Sequence, residues 1–161
     1  MVIYMKAIET ALSLTQAYKL GIERFEKMLG NEFSKAVDFM NNSSTHIIIC
    51  GMGKSGLVGR KISSTLASTG TPSIFLHPAE AIHGDLGKVQ KQSVVLLISY
   101  SGETDEIISL IPALKRLDVT IIGLTGVKNS TLAFKSDIVL DTSVDREACP
   151  LNLAPTTSTM I

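Results

Sequence analysis

The chain has 161 residues, of which 45% are hydrophobic and 19% are charged, and this composition suits one globular domain rather than a disordered segment. Lys and Arg number 15, and Asp and Glu number 15, so the formal net charge is zero. A neutral chain has no global basic field with which to hold nucleic acid or an anionic membrane. No secretory signal and no apolar run of roughly 18 residues is visible, so we expect a cytoplasmic protein.

The first third of the chain has the periodicity of helices. Apolar residues recur at three- and four-residue steps from residue 7 to residue 29, with charged residues between them. Gly30 and Asn31 interrupt the pattern, and a second helix is predicted over residues 32–40. We therefore treat residues 1–43 as N-terminal helices added to a single domain that spans 1–161. The apolar stripe on the first helix offers a surface for another subunit.

From His46 onward, short runs rich in β-branched residues alternate with helical patterns. The runs are HIIIC, SIFL, SVVLLIS, VTIIGLT and DIVLD, and helices are predicted over residues 56–68, 105–117 and 131–135. Continuous apolar strands that alternate with helices indicate a parallel sheet covered on both faces. The predicted fold class is α/β, a three-layer αβα sandwich with a five-stranded parallel sheet. Ligands in such folds bind at the carboxyl ends of the strands.

The loop CGMGKSG follows the first predicted strand and opens a helix. Its three glycines fit the G-x-G-x-x-G spacing of dinucleotide-binding loops, and a helix N-terminus favours an anion. The next strand ends in His77 rather than in an acidic residue for a ribose, which argues against a nucleotide. Lys54 and Ser55 place a cation and a hydroxyl at this turn, so both are candidate site residues.

The loop SYSGETDE follows the third strand. Gly102 allows the turn, Thr104 is predicted near the helix N-cap, and Glu106 falls in the first helical turn. Simple capping explains Thr104 and the acidic residues, but it leaves Ser99 and Ser101 without a role. Hydroxyls and amide groups that converge at a helix N-terminus form a phosphate cradle, and we predict one here.

The loop DREACPLNLAPTTST carries a third candidate, Glu147, and ends in a hydroxyl-rich helix start. Taken alone, it is also consistent with an ordinary loop and cap. His83 lies in the glycine-rich stretch AIHGDLG. The histidines lack metal-ligand spacing, so we expect no obligatory metal and no cofactor. Cys50 and Cys149 lie in no C-x-x-C pair and are interpreted as reduced thiols.

Five segments together resemble the sugar isomerase (SIS) domain of arabinose-5-phosphate isomerases: GMGKSG, ASTGTPSIFLHPAEAIHGDLG, SYSGETDE, LIPALKRL and EACPLNLAPTTST. The resemblance covers residues 47–159 almost continuously. It implies a five-stranded parallel sheet, a homotetramer and the interconversion of D-ribulose 5-phosphate and D-arabinose 5-phosphate. The product of such enzymes feeds the synthesis of 3-deoxy-D-manno-octulosonate for lipopolysaccharide.

The resemblance also implies roles for particular residues. The phosphate cradle of the family falls on Ser55, Ser99, Ser101 and Thr104, and its remaining functional residues fall on Lys54, His83, Glu106 and Glu147. The family more often has Asn where this chain has Tyr100. Family members continue with a final helix, a further histidine and a pair of CBS domains, so we expect this chain, which ends at Ile161, to be a C-terminally truncated SIS domain.

Aldose–ketose isomerisation needs a base near the carbonyl, an electrophile that stabilises the enediolate and groups that bind the phosphate. Glu106 and Glu147 both remain candidates for the base, and burial beside an apolar wall would raise the pKa of such a glutamate. We expect Lys54 to stabilise the enediolate or to bind phosphate, and His83 to assist ring opening or proton transfer; the alternatives are a surface lysine and a structural or surface histidine. The alternative is a non-catalytic phosphosugar sensor, which needs the serines but neither Glu147 nor Lys54. A nucleotide-binding α/β protein is the third interpretation.

Overall fold

The computed structural model describes residues 2–149 and 151–161, with side chains from Lys6 onward; Met1 and Pro150 lie outside the described residues. Two helices open the chain, α1 (Val2–Met28) and α2 (Asn31–Asn41). Gly30 separates them in an extended conformation and serves as the N-cap of α2. The predicted break at this glycine is therefore confirmed. Among the described residues, no helix combines the length and the apolar character needed to cross a bilayer.

The rest of the chain forms the predicted five-stranded parallel sheet. The strands are β1 (Ile47–Gly51), β2 (Ser73–Leu76), β3 (Val94–Ile98), β4 (Thr120–Thr125) and β5 (Ile138–Asp141), in the order β2-β1-β3-β4-β5. Every residue of β1 and β3 is buried, because helices cover both faces of these central strands. The strand order reverses between β1 and β3, and the loops that follow these two strands flank the reversal point.

The helices that connect the strands are α3 (Gly53–Ser68), α4 (Pro78–Ile82), α5 (Asp105–Arg116) and α6 (Thr131–Lys135), with 3-10 turns at Asp85–Lys88 and Thr157–Thr159. Helix α3 begins three residues before the predicted start, because the glycine-rich loop itself forms its first turn. Helix α4 and the turn at Asp85–Lys88 were not predicted. Both are shorter than the window over which helical periodicity becomes visible.

Two apolar clusters hold the three layers together. On one face of the sheet, the buried stripe of α5, which includes Ile107, Ile111 and Leu114, packs against Leu97 of β3 and Ile121 of β4. On the other face, Ala36 of α2 joins a second cluster built from β1, β3, β4 and β5. Burial of one large aliphatic side chain contributes ~1.5–3 kcal/mol. The α/β sandwich predicted from the sequence is confirmed, and both apolar clusters include residues of β1 and β3.

Candidate functional site

The loops after β1 and β3 leave the sheet side by side, because Gly51 pairs with Ile98 in the parallel register. A Cβ atom at Gly51 would lie 2.9 Å from the Ser55 carbonyl oxygen, and one at Gly56 would lie 2.6 Å from the Gly51 carbonyl oxygen. Only glycine permits this close approach between the end of β1 and the first turn of α3. The approach places Ser55 beside the loop that follows β3.

The hydroxyl groups of that second loop converge at the start of α5. Ser99 is only 2% exposed, and its Oγ lies 2.8 Å from Oγ1 of Thr104. The backbone amide of Gly102 donates to the same Ser99 Oγ at 3.1 Å, and the amide of Glu103 donates to Ser101 Oγ at 3.2 Å. Gly102 has a φ of +67°, in the left-handed region that favours glycine. The turn therefore bends the chain back on itself and brings Ser99 to Thr104.

Thr104 is the N-cap residue of α5 by position, but its side chain makes no capping hydrogen bond to the helix. Its hydroxyl is paired with Ser99 instead. Within the described residues, the first-turn amides of α5 thus receive no side-chain acceptor and point toward the loop, where an anion would be stabilised by them and by the helix dipole. Simple capping, the plainer of the two interpretations of this loop, does not describe its hydrogen bonds.

The acidic residues after Gly102 have different surroundings. Oε1 of Glu103 accepts the Thr131 backbone amide at 2.6 Å, and this hydrogen bond lowers the pKa of Glu103. Glu103 therefore holds the start of α6. Glu106 lies half-buried in the first turn of α5, and its carboxylate forms no hydrogen bond or ion pair within the described residues. Of the two, Glu106 is the carboxylate available to a ligand.

Glu147 is engaged by the C-terminal segment. Its carboxylate accepts the Thr156 amide at 2.8 Å, the Thr156 hydroxyl at 3.0 Å and the Ser158 amide at 3.2 Å, and it also accepts the Ser158 hydroxyl. Desolvation raises the pKa of Glu147, but the hydrogen bonds from Ser158 and Thr156 together outweigh it and lower the pKa below its ordinary value. A raised pKa was expected for a buried glutamate at the site, and Glu147 does not have one.

A cavity of about 510 Å³, within the usual size range of small-molecule sites, lies beside α3, the loop after β3 and the C-terminal segment. Of the predicted site residues, Ser55 lines it, whereas Ser99, Thr104, Glu106 and Glu147 do not. Its polar wall includes Ser55 from α3, Tyr100 from the loop after β3 and Ser158 from the C-terminal segment, while most of the remaining wall is apolar. A larger cavity of about 600 Å³ near α1, α2 and β5 contains none of the predicted site residues. The convergence of hydroxyl groups, rather than cavity size, locates the candidate site.

Residues 40–161 match the SIS domain family. The chain belongs to the SIS domain family. Arabinose 5-phosphate isomerase KdsD of Pseudomonas aeruginosa is 53% identical over 133 residues, which cover 83% of this chain and 41% of the relative. Arabinose 5-phosphate isomerase KpsF of Escherichia coli O6:H1 is 52% identical over 141 residues, covering 87% of this chain and 43% of the relative. The SIS domain thus spans less than half the length of these two relatives.

A solved structure supports the same assignment. A protein of E. coli CFT073, determined in complex with arabinose 5-phosphate, superposes on this SIS domain with a TM-score of 0.82 and 38% sequence identity. The match covers 93% of this chain and 82% of the solved chain. At this identity the likeness extends beyond the bare fold, and the predicted resemblance to the SIS domain is confirmed.

Two further predicted residues of the SIS domain lie on its surface. Lys54 is exposed in the first turn of α3, and His83 is exposed at the C-cap of α4. Within residues 2–149 and 151–161, their side chains form no hydrogen bond or ion pair with Glu106, Glu147 or each other. Over the same residues, no group of three His, Cys, Asp or Glu side chains is arranged to hold a metal. Their roles as site residues stay predictions.

The two cysteines of the SIS domain are free thiols, in agreement with their interpretation from the sequence. Cys50 is buried in β1, and desolvation raises the pKa of its thiol to about 12. A thiol with so high a pKa stays protonated and unreactive. Hydrogen bonds from backbone amides, that of Ala154 first, lower the pKa of Cys149.

Two residues that organise the site, Tyr100 and Ser130, were not predicted from the sequence. Tyr100 accepts Thr125 Oγ1 at 3.1 Å and the Gly126 amide at 2.9 Å through its carbonyl oxygen, and its hydroxyl accepts the Val144 amide at 3.4 Å. Ser130 caps α6 through its Oγ, which accepts the Ala133 amide at 3.3 Å. A serine before a short helical run is a recognisable N-cap pattern. The contacts of Tyr100 join loops far apart in sequence and have no local signature.

Proposed function

We propose that this SIS domain is the substrate-binding and catalytic part of an aldose–ketose isomerase that interconverts D-ribulose 5-phosphate and D-arabinose 5-phosphate. The observation that carries the proposal is the group of hydroxyls at the uncapped start of α5, where Ser99 and Thr104 lie 2.8 Å apart. The names of the relatives and the arabinose 5-phosphate bound to the solved neighbour support the choice of substrate.

The phosphate is held by hydroxyl and amide donors rather than by a cluster of cations. Ser99, Ser101 and Thr104 supply hydroxyl groups, and Ser55 adds one from the neighbouring loop. The N-termini of α3 and α5 contribute the partial positive charge that offsets the phosphate. This arrangement suits a chain with no net charge. Binding energy from the phosphate then orients the carbonyl end of the sugar for proton transfer.

Proton transfer between C1 and C2 is assigned to Glu106. Glu106 lies in the first turn of α5, two residues after Thr104, and its carboxylate carries no competing hydrogen bonds in the described structure. Glu147 is ionised at neutral pH, but its lowered pKa makes it a weak base, and its oxygens already accept four donors. We assign Glu147 to holding the C-terminal segment over the site.

Lys54 and His83 complete the proposed machinery. Lys54 begins α3 beside Ser55, where an ammonium group stabilises the enediolate or the phosphate. His83 assists ring opening, in its own site or in that of a neighbouring subunit. We further propose a cytoplasmic homotetramer whose product enters 3-deoxy-D-manno-octulosonate and lipopolysaccharide synthesis. The exposed apolar residues Ile8, Leu12 and Ile22 of α1 offer a surface for such an assembly.

A phosphosugar sensor is the second candidate. It is favoured by the full engagement of the Glu147 carboxylate with Thr156 and Ser158, which gives this residue a structural task without chemistry. A sensor would retain the hydroxyl grip and would bind arabinose 5-phosphate without converting it.

One assay separates the two candidates. The protein is incubated with arabinose 5-phosphate, and the formation of ribulose 5-phosphate is followed while binding is measured by calorimetry. Turnover that depends on Glu106 supports the isomerase. Binding without turnover supports the sensor, and the absence of binding contradicts both.

A further inference from the structure

Helix α1 docks on the chain segment that leads to Glu147. Arg24 supplies three donors to this segment: Nε donates to the Ser143 carbonyl oxygen at 3.1 Å, a terminal nitrogen donates to Ser143 Oγ at 3.0 Å, and the other donates to Asp145 Oδ1 at 2.6 Å. One turn earlier, Gly21 lies so close to the buried Thr157 that a Cβ atom there would overlap its methyl group. Two adjacent turns of α1 therefore touch both ends of the Glu147 region.

The segment held by Arg24 is also fixed from its other side. Asp141, at the end of β5, accepts the Ser143 amide at 2.8 Å, and the Tyr100 hydroxyl accepts the Val144 amide at 3.4 Å. Glu147 follows Asp145 by only two residues, so the direction in which the chain leaves Asp145 constrains where the Glu147 carboxylate lies. The Glu147 amide, which donates to Asn152 Oδ1 at 2.9 Å, holds the other side of this short stretch. Glu147 in turn binds residues 156–158, and Ser158 lines the cavity, so a shift of Glu147 also shifts part of the cavity wall.

The strength of these contacts indicates orientation rather than stability. The Asp145 side chain is 75% exposed and that of Arg24 is 40% exposed, and ion pairs of this kind contribute only ~0–1 kcal/mol. A planar guanidinium that meets a carbonyl, a hydroxyl and a carboxylate at once nevertheless fixes their relative positions, which a lysine ammonium cannot do. We therefore expect Arg24 to affect the position of this segment more than the free energy of unfolding.

We propose that Arg24 is a positioning residue of the site. It fixes the segment from Ser143 to Asp145 and through it the orientation of the Glu147 carboxylate and of the 156–158 segment bound to it. Arg24 itself touches no substrate. The effect on turnover rests on the proposed function, whereas the effect on the order of the Glu147 region does not.

The test compares Arg24→Met with Lys19→Met, which removes an equal charge from an exposed position of the same helix. Hydrogen–deuterium exchange is measured for peptides that cover residues 146–158 and residues 98–106. We expect exchange over 146–158 to accelerate about fivefold in Arg24→Met, as loss of a hydrogen bond would produce, and the loop at 98–106 to be unchanged. Unaltered exchange over 146–158 overturns the proposal.

Kinetics supply the readout that a purely structural role would not move. With arabinose 5-phosphate, Arg24→Met is expected to lower kcat about tenfold while KM stays within about twofold. The reason is that the variant displaces the Glu147 side of the site and leaves the hydroxyls after β3 in place. Arg24→Lys retains the charge but not the three-way geometry, so its kcat should remain near that of Arg24→Met. An unchanged kcat, or recovery in Arg24→Lys, contradicts positioning by the guanidinium. If the wild type shows no turnover, the proposed function fails, and the exchange result still decides the role of Arg24.

Discussion

The loop after β3 and the segment around Glu147 are built in opposite ways. In the loop after β3, the hydrogen bonds of the Ser99 and Ser101 hydroxyls join residues at most five positions apart, such as Ser99 with Thr104. The Glu147 segment instead depends on partners remote in sequence, since Arg24 and Ser143 are 119 positions apart. The pairing of the hydroxyls after β3 is therefore encoded locally, although Tyr100 and Glu103 tie the same loop to more distant parts of the domain. A segment with remote partners takes its shape only when the whole domain is assembled.

The largest expected effect separates the glutamates of the two regions. Glu106→Gln should lower kcat by about 10²–10⁴-fold, because it removes the proposed base, while binding of arabinose 5-phosphate is retained. Glu147→Gln should lower kcat about tenfold, since it only loosens the position of the C-terminal segment. Glu9→Gln, at an exposed position of α1, is the control for loss of a negative charge. A greater loss in Glu147→Gln than in Glu106→Gln would exchange the two assignments.

Gly102→Ala tests how strictly the local loop depends on its turn. The φ of +67° is unfavourable for alanine, and the added Cβ would overlap Ser130. We expect a loss of about 2–4 kcal/mol in the free energy of unfolding, from strain and overpacking together. Gly87→Ala is the matched control, because nothing lies within 4 Å of a Cβ at Gly87. Urea denaturation of both variants measures the difference, and equal stabilities would show that the turn is not constrained as described.

A smaller effect is expected from pH acting on the remote segment. The pKa of Glu147 is lowered in the folded state, so its stabilising contribution is present above the ordinary glutamate pKa of 4.5 and is lost as the pH falls through its lowered folded value. Between about pH 7 and about pH 3.5, the wild type should therefore lose more stability than Glu147→Gln.

The pH comparison must be made between variants, because Glu103 and Asp141 also have lowered pKa values and act in the same direction. Urea midpoints at both pH values for the wild type, Glu147→Gln and the control Glu9→Gln provide the measurement. The control should follow the wild type. If Glu147→Gln also follows it, the hydrogen bonds from Thr156 and Ser158 do not stabilise the charged carboxylate.

The comparison also explains what could be predicted from the sequence. The strands, the longer helices and the clustering of Ser99 with Thr104 follow from periodicity and from adjacent residues. Glu147 was named as a candidate from the sequence, and that role stays a prediction; its four donors and its lowered pKa were not foreseen. They depend on how residues 156–158 fold back, and no pattern within the loop encodes that. No sequence pattern indicated a role for Arg24, because a charged residue on an exposed helix usually faces solvent.

The central claim is that the hydroxyls after β3 hold the phosphate of a sugar phosphate. Calorimetric titration of arabinose 5-phosphate, with arabinose as the unphosphorylated comparison, into the wild type and the double variant Ser99→Ala, Ser101→Ala tests it most directly. Ser64→Ala, at an exposed position of α3, controls for loss of a hydroxyl. The wild type should bind only the phosphorylated sugar, and the double variant should lose at least about tenfold in affinity, as expected for hydrogen bonds to a charged group. An affinity equal to that of the wild type would contradict the claim.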